Sequence, residues 1–331
     1  MPDEIRVGVA GLTHGHVWGL IEAWKHVEGA RLVAVADRTP LLEKARPDFG
    51  VAYADYLEML DKEQLDALVV TSDNLPSAQI AVNALERRIP CMVEKAMAAN
   101  SIDAQRMLDA MERSGVKLMI NWPLAWDAWL YDLKRRIEAG EIGHVFHLRY
   151  RNGHHGPKEI GCDEYFVDWL YNERKNGAGA LADFCSYGAA LCRWYFGMPE
   201  SVYCIRGNQT KDYPVPDDHA VCILKYDKLS TEIEGTWATK GFDTGPNPVV
   251  HGKEGTLGVS RGKITRFVAG QEPVDEEPPP LANRNPAKYF VECIRENREP
   301  EGILSPYISA DACKILDAAK KSSDSGCAEA P

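Results

Sequence analysis

The sequence predicts an α/β chain in two parts: an N-terminal doubly wound parallel sheet, then an α/β region built on a large, mostly antiparallel, open-faced sheet. Three observations predict it. Up to Asn121, short apolar runs (IRVGVA, RLVAVAD, LDALVVTS, PCMVEK, VKLMINW) alternate with helical stretches such as SAQIAVNALERR and SIDAQRMLDAMERSG. Strands that are apolar throughout and separated by helices belong to a parallel sheet covered on both faces. Beyond the helical LAWDAWLYDLKRRIEAGEIG the pattern changes, and HVFHLRYRN, HAVCILKYD, STEIEGTWAT and GTLGVSRGKITRFVAG follow one another with few helices between. Such a run predicts antiparallel strands with one face open. Finally, 331 residues of which 45% are hydrophobic suffice for two cores. The expected boundary gives domains 1–122 and 123–331.

Each element follows from its local pattern. IRVGVA runs into a segment whose apolar residues Val17, Leu20, Ile21 and Trp24 recur at the spacing of one helix face. RLVAVAD ends at Asp37, and VAYAD is a further short strand after a helical stretch. In the second region GALADFCSYGAALCRWYFG is a helix interrupting the strands, and the proline-rich, acidic QEPVDEEPPPLANRNP is a surface loop. AKYFVECIRENRE and ISADACKILDAAKKSS are amphipathic helices, and there is no internal repeat.

Composition narrows the partners. A net charge of −11, interspersed rather than gathered in a tail, argues against nucleic acid or an anionic membrane as partner. No apolar run approaches the roughly 20 residues of a membrane helix, and the acidic MPDEIRVGVAGL enters a strand too early for a signal peptide. The nine cysteines include no CxxC, and Cys91, Cys222 and Cys293 fall in apolar runs, which predicts buried free thiols in a reducing compartment and hence a soluble cytoplasmic protein.

The stretch VAGLTHGHVWGL stands where the first strand meets the first helix. A dinucleotide site needs a tight turn there, a close backbone and a helix N-terminus aimed at the pyrophosphate, usually written GxGxxG. Here Gly11 keeps the first position, followed by Leu12, while Thr13 and His16 take the second and third. Position supports the assignment better than letters do, since Asp37 closes the second strand about 20 residues on, where a ribose-binding acid is expected. Thr13 can give a hydroxyl to a phosphate, and His14 or His16 a ring N–H. The two histidines are also spaced to share a metal, but no acid or cysteine adjoins them in sequence, so no metal is expected. Arg38 after Asp37 leaves cofactor choice between NAD, which the carboxylate favours, and NADP.

VGVAGLTHGH, VAVADR, VEKA and GAGALADFCSYGAALCRWYFG together resemble the Gfo/Idh/MocA family of oxidoreductases, in the right order over nearly the whole chain. Glu94-Lys95 matches the family's EKP, and Gly177-Ala178-Gly179-Ala180-Leu181 with Asp183 matches its GGGAL-x-D segment. The resemblance implies an NAD(P)-binding Rossmann domain, then a domain that binds substrate and assembles dimers or tetramers through its sheet, acting on sugars, polyols or related hydroxyl compounds. It also implies that Lys95 touches nicotinamide and substrate hydroxyl and that Asp183 binds substrate. Where many members carry a catalytic His, this sequence has Tyr187, similar to the branch containing glucose–fructose oxidoreductase and dihydrodiol dehydrogenase. Four residues apart on a helix, Asp183 and Tyr187 share a face. An ammonium near Tyr187 would favour the phenolate, as a general base requires.

Thr71, Ser72 and Asn74, with Glu94 and Asn121 at strand ends, complete the expected cofactor contacts. The family's TPxxxH loop here reads Thr71-Ser72-Asp73-Asn74-Leu75-Pro76, the proline after the lysine is Ala96, and the arginine often found after Asn121 is absent. His154 and His155 in NGHHGP are candidate substrate ligands. Two alternatives stay open at this point: a glycosidase that oxidises its sugar transiently on bound NAD, and a non-catalytic cofactor-binding sensor.

Overall fold

The computed structural model describes residues 4–241 and 245–331. It divides into two compact units, one of residues 1–122, 161–177 and 283–313, the other of residues 123–160, 178–282 and 314–331. Besides a division after Trp122, the chain thus returns twice to the first unit, a discontinuity that a single boundary at 122/123 omits. The returning pieces bring buried aromatic and apolar side chains, Trp169, Leu170, Phe290 and Val291, that need a core.

In the first unit β1 (Ile5–Ala10), α1 (Val17–Lys25), β2 (Ala30–Ala36), α2 (Leu41–Ala45), β3 (Val51–Tyr53), α3 (Tyr56–Lys62), β4 (Ala67–Val70), α4 (Asn74–Glu86), β5 (Cys91–Glu94), α5 (Ser101–Ser114) and β6 (Leu118–Asn121) alternate. The six strands pair in parallel in the order β3-β2-β1-β4-β5-β6. Strands β4, β5 and β6 are buried at every residue, the physical counterpart of apolar letters broken only at the terminal Glu94 and Asn121. The order reverses between β1 and β4, so the carboxyl ends of those strands open a crevice, the usual ligand position in such sheets.

The second unit holds α6 (Ala128–Glu138) and β7 (Val145–Gly153); the next two helices, α7 (Glu164–Leu170) and α8 (Glu173–Asn176), lie in the stretch that returns to the first unit. A π-turn over Leu181–Cys185 then leads into α9 (Ser186–Phe196). Strands β8 (Ser201–Gly207), β9 (His219–Lys225), β10 (Ser230–Thr236), β11 (Val249–Gly252), β12 (Thr256–Ser260), β13 (Lys263–Phe267) and β14 (Val274–Glu276) follow, and α10 (Pro286–Arg295) and α11 (Pro306–Ser325) end the chain. The sheet runs β14-β13-β12-β11-β7-β10-β9-β8, antiparallel throughout except for the β7–β10 pair. β8 and β11 lack a clear signal in the sequence, and β14 lies inside the acidic segment expected to be loop, where its three residues add a short edge to β13.

One face of this sheet is covered and the other is open. Ile233 and Trp237 of the β10 segment point inward and are buried, and a Cβ on Gly235 between them would meet Cys185 Sγ at 2.8 Å. The open face carries the alternate residues, among them Glu232 and Glu234, with Tyr203, Ile205, Ile223 and Phe267 exposed.

Candidate functional site

One candidate site is the turn after β1. Gly11 has φ +85°, and a Cβ there would stand 2.5 Å from Ser72 Cβ, so this position keeps its glycine for both conformation and room. The Leu12 N–H donates to Asp37 Oδ2 at 2.7 Å, and the Thr39 N–H donates to Asp37 Oδ1 at 2.6 Å, joined by the Thr39 hydroxyl. Asp37 therefore closes the turn between β1 and β2 as well as lining the cleft beside it. Thr71 donates its hydroxyl to Gly11 C=O at 2.6 Å, and its own C=O accepts the His14 N–H.

Beside this turn is a cleft of about 650 Å³ whose walls include Gly11, Thr13, Asp37, Arg38, Ser72 and Asp73. Among the described residues the Thr13 and Gly15 N–H groups find no acceptor, and both precede the N-terminus of α1. Open N–H groups at a helix N-terminus form an anion site, so the turn fits a dinucleotide pyrophosphate. Gly11, Thr13, Asp37, Arg38 and Ser72 would hold the cofactor.

The side chains read as phosphate donors are directed elsewhere. Thr13 gives its hydroxyl to Asp73 Oδ1 at 2.6 Å, and Asp73 is in turn 3.1 Å from Lys175 Nζ. His14 is buried, its ring 5.1 Å from that of Phe166 and 5.6 Å from that of Trp169. Its Nδ1 accepts the His16 N–H at 3.2 Å, so Nε2 carries the proton and donates to Lys95 C=O at 3.1 Å. Burial, with His16 and Lys95 nearby, holds the His14 pKa well below the usual histidine range, leaving a neutral ring. His16 Nδ1 is 2.8 Å from Glu94 Oε1, and Asn121 Nδ2 donates to Glu94 Oε2 at 2.8 Å. Residues from the turn after β1 and from the ends of β5 and β6 thus form one network, buried except at His16, that positions the Lys95 backbone.

This explains the missing glycines. Phe166 covers Gly15, where a Cβ would lie 3.2 Å from its ring, and Trp169 donates its indole N–H to Thr13 C=O at 3.1 Å. The aromatic cover comes from α7, about 150 residues further along the chain, and the sequence reading assigned it no part in the site. The ground for excluding a metal also fails, since Glu94 joins His14 and His16 with ligand atoms within 4.8 Å of one another. Both His14 nitrogens are nevertheless committed to Lys95 and to the His16 backbone.

Other expected cofactor residues are placed as follows. Arg38 is exposed and pairs with Asp55 at 3.1 Å. Asn74 is buried and donates to the Asn176 side chain at 2.9 Å, which fastens α4 to α8. The Lys95–Ala96 peptide is cis.

Another candidate site is in the other unit. Asp183 sits within the π-turn, a local widening common at functional positions, and its Oδ2 accepts the Trp237 indole N–H at 3.0 Å. The carboxylate of Asp217, fully buried, accepts the N–H groups of Gly179 and Leu181 at 2.9 and 2.7 Å and faces Arg206 at 3.2 Å. Burial pushes the Asp217 carboxyl up while those donors pull it down. Asp217 and Trp237 thus hold the GALAD segment, a role that the sequence reading did not find.

Tyr187, in the first turn of α9, is buried and lines a pocket of about 530 Å³ with Tyr150 and Asn152 of β7. Burial, then the neighbouring Tyr187, pushes the Tyr150 phenol up, so Tyr150 stays protonated. His154 stands edge-on to Phe184 at 5.0 Å, and Phe184 stacks on Tyr187 at 6.4 Å, which puts His154 in the same aromatic row. The contact seen for His155 is through its C=O, which accepts from Lys211 at 2.6 Å.

Comparison with known proteins matches both parts of the chain. The GFO/IDH/MocA oxidoreductase family with its NAD-binding Rossmann fold matches residues 5–122, and the GFO/IDH/MocA C-terminal domain matches residues 131–258. A D-apiose dehydrogenase of Paraburkholderia graminis is 30% identical over 306 residues, 85% of this chain and 78% of that protein. The inositol 2-dehydrogenase of Salmonella typhimurium is 27% identical over 159 residues, 46% of each chain. Among solved structures, levoglucosan dehydrogenase with NADH and levoglucosan has a TM-score of 0.82 at 18% identity, covering 99% of this chain and 100% of that one. The WlbA dehydrogenase of Bordetella pertussis with NADH and UDP-GlcNAcA has the same score at 22% identity, covering 100% and 99%. At such identities the structures show the shared fold, while the two domain matches and the apiose dehydrogenase show the descent. This chain belongs to the GFO/IDH/MocA family of NAD-binding oxidoreductases.

Proposed function

We propose that the chain is a dehydrogenase that oxidises a hydroxyl-bearing carbon of a sugar, polyol or related compound, or runs the reverse reduction. Bound NAD supplies the hydride-accepting nicotinamide. The observation that carries the reading is the second unit's constellation, with Asp183 fixed by the Trp237 indole and Tyr187 on the wall of a pocket of about 530 Å³. An alcohol gives up hydride only as its proton leaves, and Tyr187 is the residue assigned to take that proton. Asp183 orients a neighbouring hydroxyl. Lys95, whose backbone is fixed by His14, supplies positive charge for the developing alkoxide. His154 is a secondary substrate contact beside Phe184, and His155 ranks below it. Asp37 favours NAD over NADP by repelling a 2′-phosphate.

The open face of the second unit's sheet, with Tyr203, Ile205, Ile223 and Phe267 exposed, supports assembly of copies of the chain through that face. Ile233 and Trp237, on the other face by strand alternation, are buried and take no part in that surface. Nine free cysteines support a reducing, cytoplasmic setting, and no described helix is long and apolar enough to cross a membrane.

The test is turnover of polyols, aldoses and sugar acids with NAD+, read at the nicotinamide absorbance. Tyr187→Phe should keep NAD+ affinity and lower turnover by about 10²–10⁴. Full activity in that variant removes Tyr187 from the mechanism.

A further inference from the structure

The cleft beside the β1 turn has an unfavourable charge balance for the anion that the turn fits. Its walls carry the carboxylates of Asp37, Asp73 and Asp168 against the cations of Arg38 and Lys175, in a chain whose net charge is −11. Arg38 is engaged by Asp55 at 3.1 Å, and Asp37 is met by the Leu12 and Thr39 N–H groups.

Asp73 is placed differently. It stands immediately before α4, where an aspartate usually accepts an N–H of its own helix, yet its side chain makes no such bond. Its Oδ1 takes the Thr13 hydroxyl at 2.6 Å, and its Oδ2 is 3.1 Å from Lys175 Nζ. A carboxylate diverted from its helix is thus held against the turn whose open N–H groups fit a pyrophosphate, where like charge repels that anion. Lys175 is the cation that the described residues put beside it.

The backbone of Lys175 is fixed. Its N–H donates to Asn172 Oδ1 at 3.2 Å and to Asn172 C=O at 3.0 Å. The next residue, Asn176, is buried, accepts Asn74 Nδ2 at 2.9 Å and donates to Leu170 C=O at 3.2 Å. The Lys175 side chain is 47% exposed, and a single contact to Asp73 leaves its ammonium donors for a second anion.

We propose that Lys175 is a ligand of the dinucleotide's pyrophosphate, held beside the turn by Asp73, so that cofactor affinity rests on a side chain of α8 as well as on the turn after β1. Asp73 is its positioning residue, and the Thr13 hydroxyl ties the pair to the turn. The proposal concerns cofactor binding alone and stands or falls independently of the reaction catalysed.

The test is calorimetric binding of NAD+, ADP-ribose and adenosine to the full chain and to its Lys175→Met and Lys175→Arg variants. ADP-ribose keeps the pyrophosphate without the nicotinamide, and adenosine has no phosphate. Lys175→Met should bind NAD+ and ADP-ribose at least about tenfold more weakly, as loss of a charge-assisted hydrogen bond requires, with adenosine affinity and melting temperature unchanged. Lys175→Arg keeps the charge and should retain most of the affinity. Raising the salt should weaken ADP-ribose binding more in the parent than in Lys175→Met. In an Asp73→Asn background the loss caused by Lys175→Met should shrink, because the carboxylate that the ammonium offsets is gone. Unchanged ADP-ribose affinity in Lys175→Met, an equal loss of adenosine, an equal loss in Lys175→Arg, or a loss undiminished by Asp73→Asn overturns the proposal, as does a parent chain that binds neither NAD+ nor ADP-ribose.

Discussion

His14→Gln should remove a specific pH dependence of stability. In the folded chain the His14 ring is neutral, enclosed by Phe166 and Trp169, with its Nε2–H on Lys95 C=O and its Nδ1 accepting from the His16 N–H. Its pKa is held well below 6.5, first by burial and then by His16 and Lys95. An unfolded histidine takes up its proton near pH 6.5. Below that pH the unfolded chain binds a proton that the folded chain refuses, so stability falls as pH falls, by about 1.4 kcal/mol per unit. Between pH 7.5 and pH 5 the loss amounts to about 2 kcal/mol. Glutamine keeps an amide donor for Lys95 and has no such titration.

Urea unfolding of wild type and variant across that pH range, followed by tryptophan fluorescence, isolates the term as a difference of slopes, since every other titrating group is common to both. Equal slopes, or a His14 ring that titrates near 6.5 in a nuclear magnetic resonance experiment, would refute the reasoning. His14→Ala should be worse at every pH. It removes the ring from the Lys95 carbonyl and from the His16 N–H, each lost bond costing about 1–3 kcal/mol when water cannot replace it.

Asp37→Asn points an amide N–H at donors that now meet carboxylate oxygens, the Leu12 and Thr39 N–H groups, so the melting temperature should fall and NAD+ affinity should drop at least about tenfold. NADP+ should lose less because the repelling charge is gone, and unchanged melting with unchanged NAD+ affinity would show that the carboxylate holds neither turn nor ribose. Trp237→Phe removes the indole donor to Asp183, a bond to a charged group worth about 1.5–3 kcal/mol. KM should rise at least about tenfold with NAD+ affinity intact, and an unaltered KM counts against a substrate role for Asp183. Ile205→Glu on the open sheet face should shift the light-scattering mass towards the single chain, and an unchanged mass of an oligomer would place the assembly surface elsewhere.

The sequence by itself determined the architecture, because local patterning is enough to form these elements. Short apolar runs such as ALVV and the CMV before Glu94, too short for helices and separated by longer helical stretches, point to strands buried on both faces and hence to parallel pairing. Gly11, Asp37, Lys95, Asp183 and Tyr187 stand out as candidates for the same reason, since a motif is read by its place at a strand end or helix start. Tertiary structure decided what each side chain does there. Nothing near VAGLTHGHVWGL announces that Phe166 and Trp169 will cover it, that Glu94 will meet His16, or that Asp73 will take the Thr13 hydroxyl. These partners are 60 to 156 residues away in the chain. β10 shows the same limit at its smallest: alternation puts Ile233, Gly235 and Trp237 on one face but carries no sign of which face is covered. Only the packing of the π-turn against Gly235, and a buried indole N–H that had to find Asp183, made that face the interior.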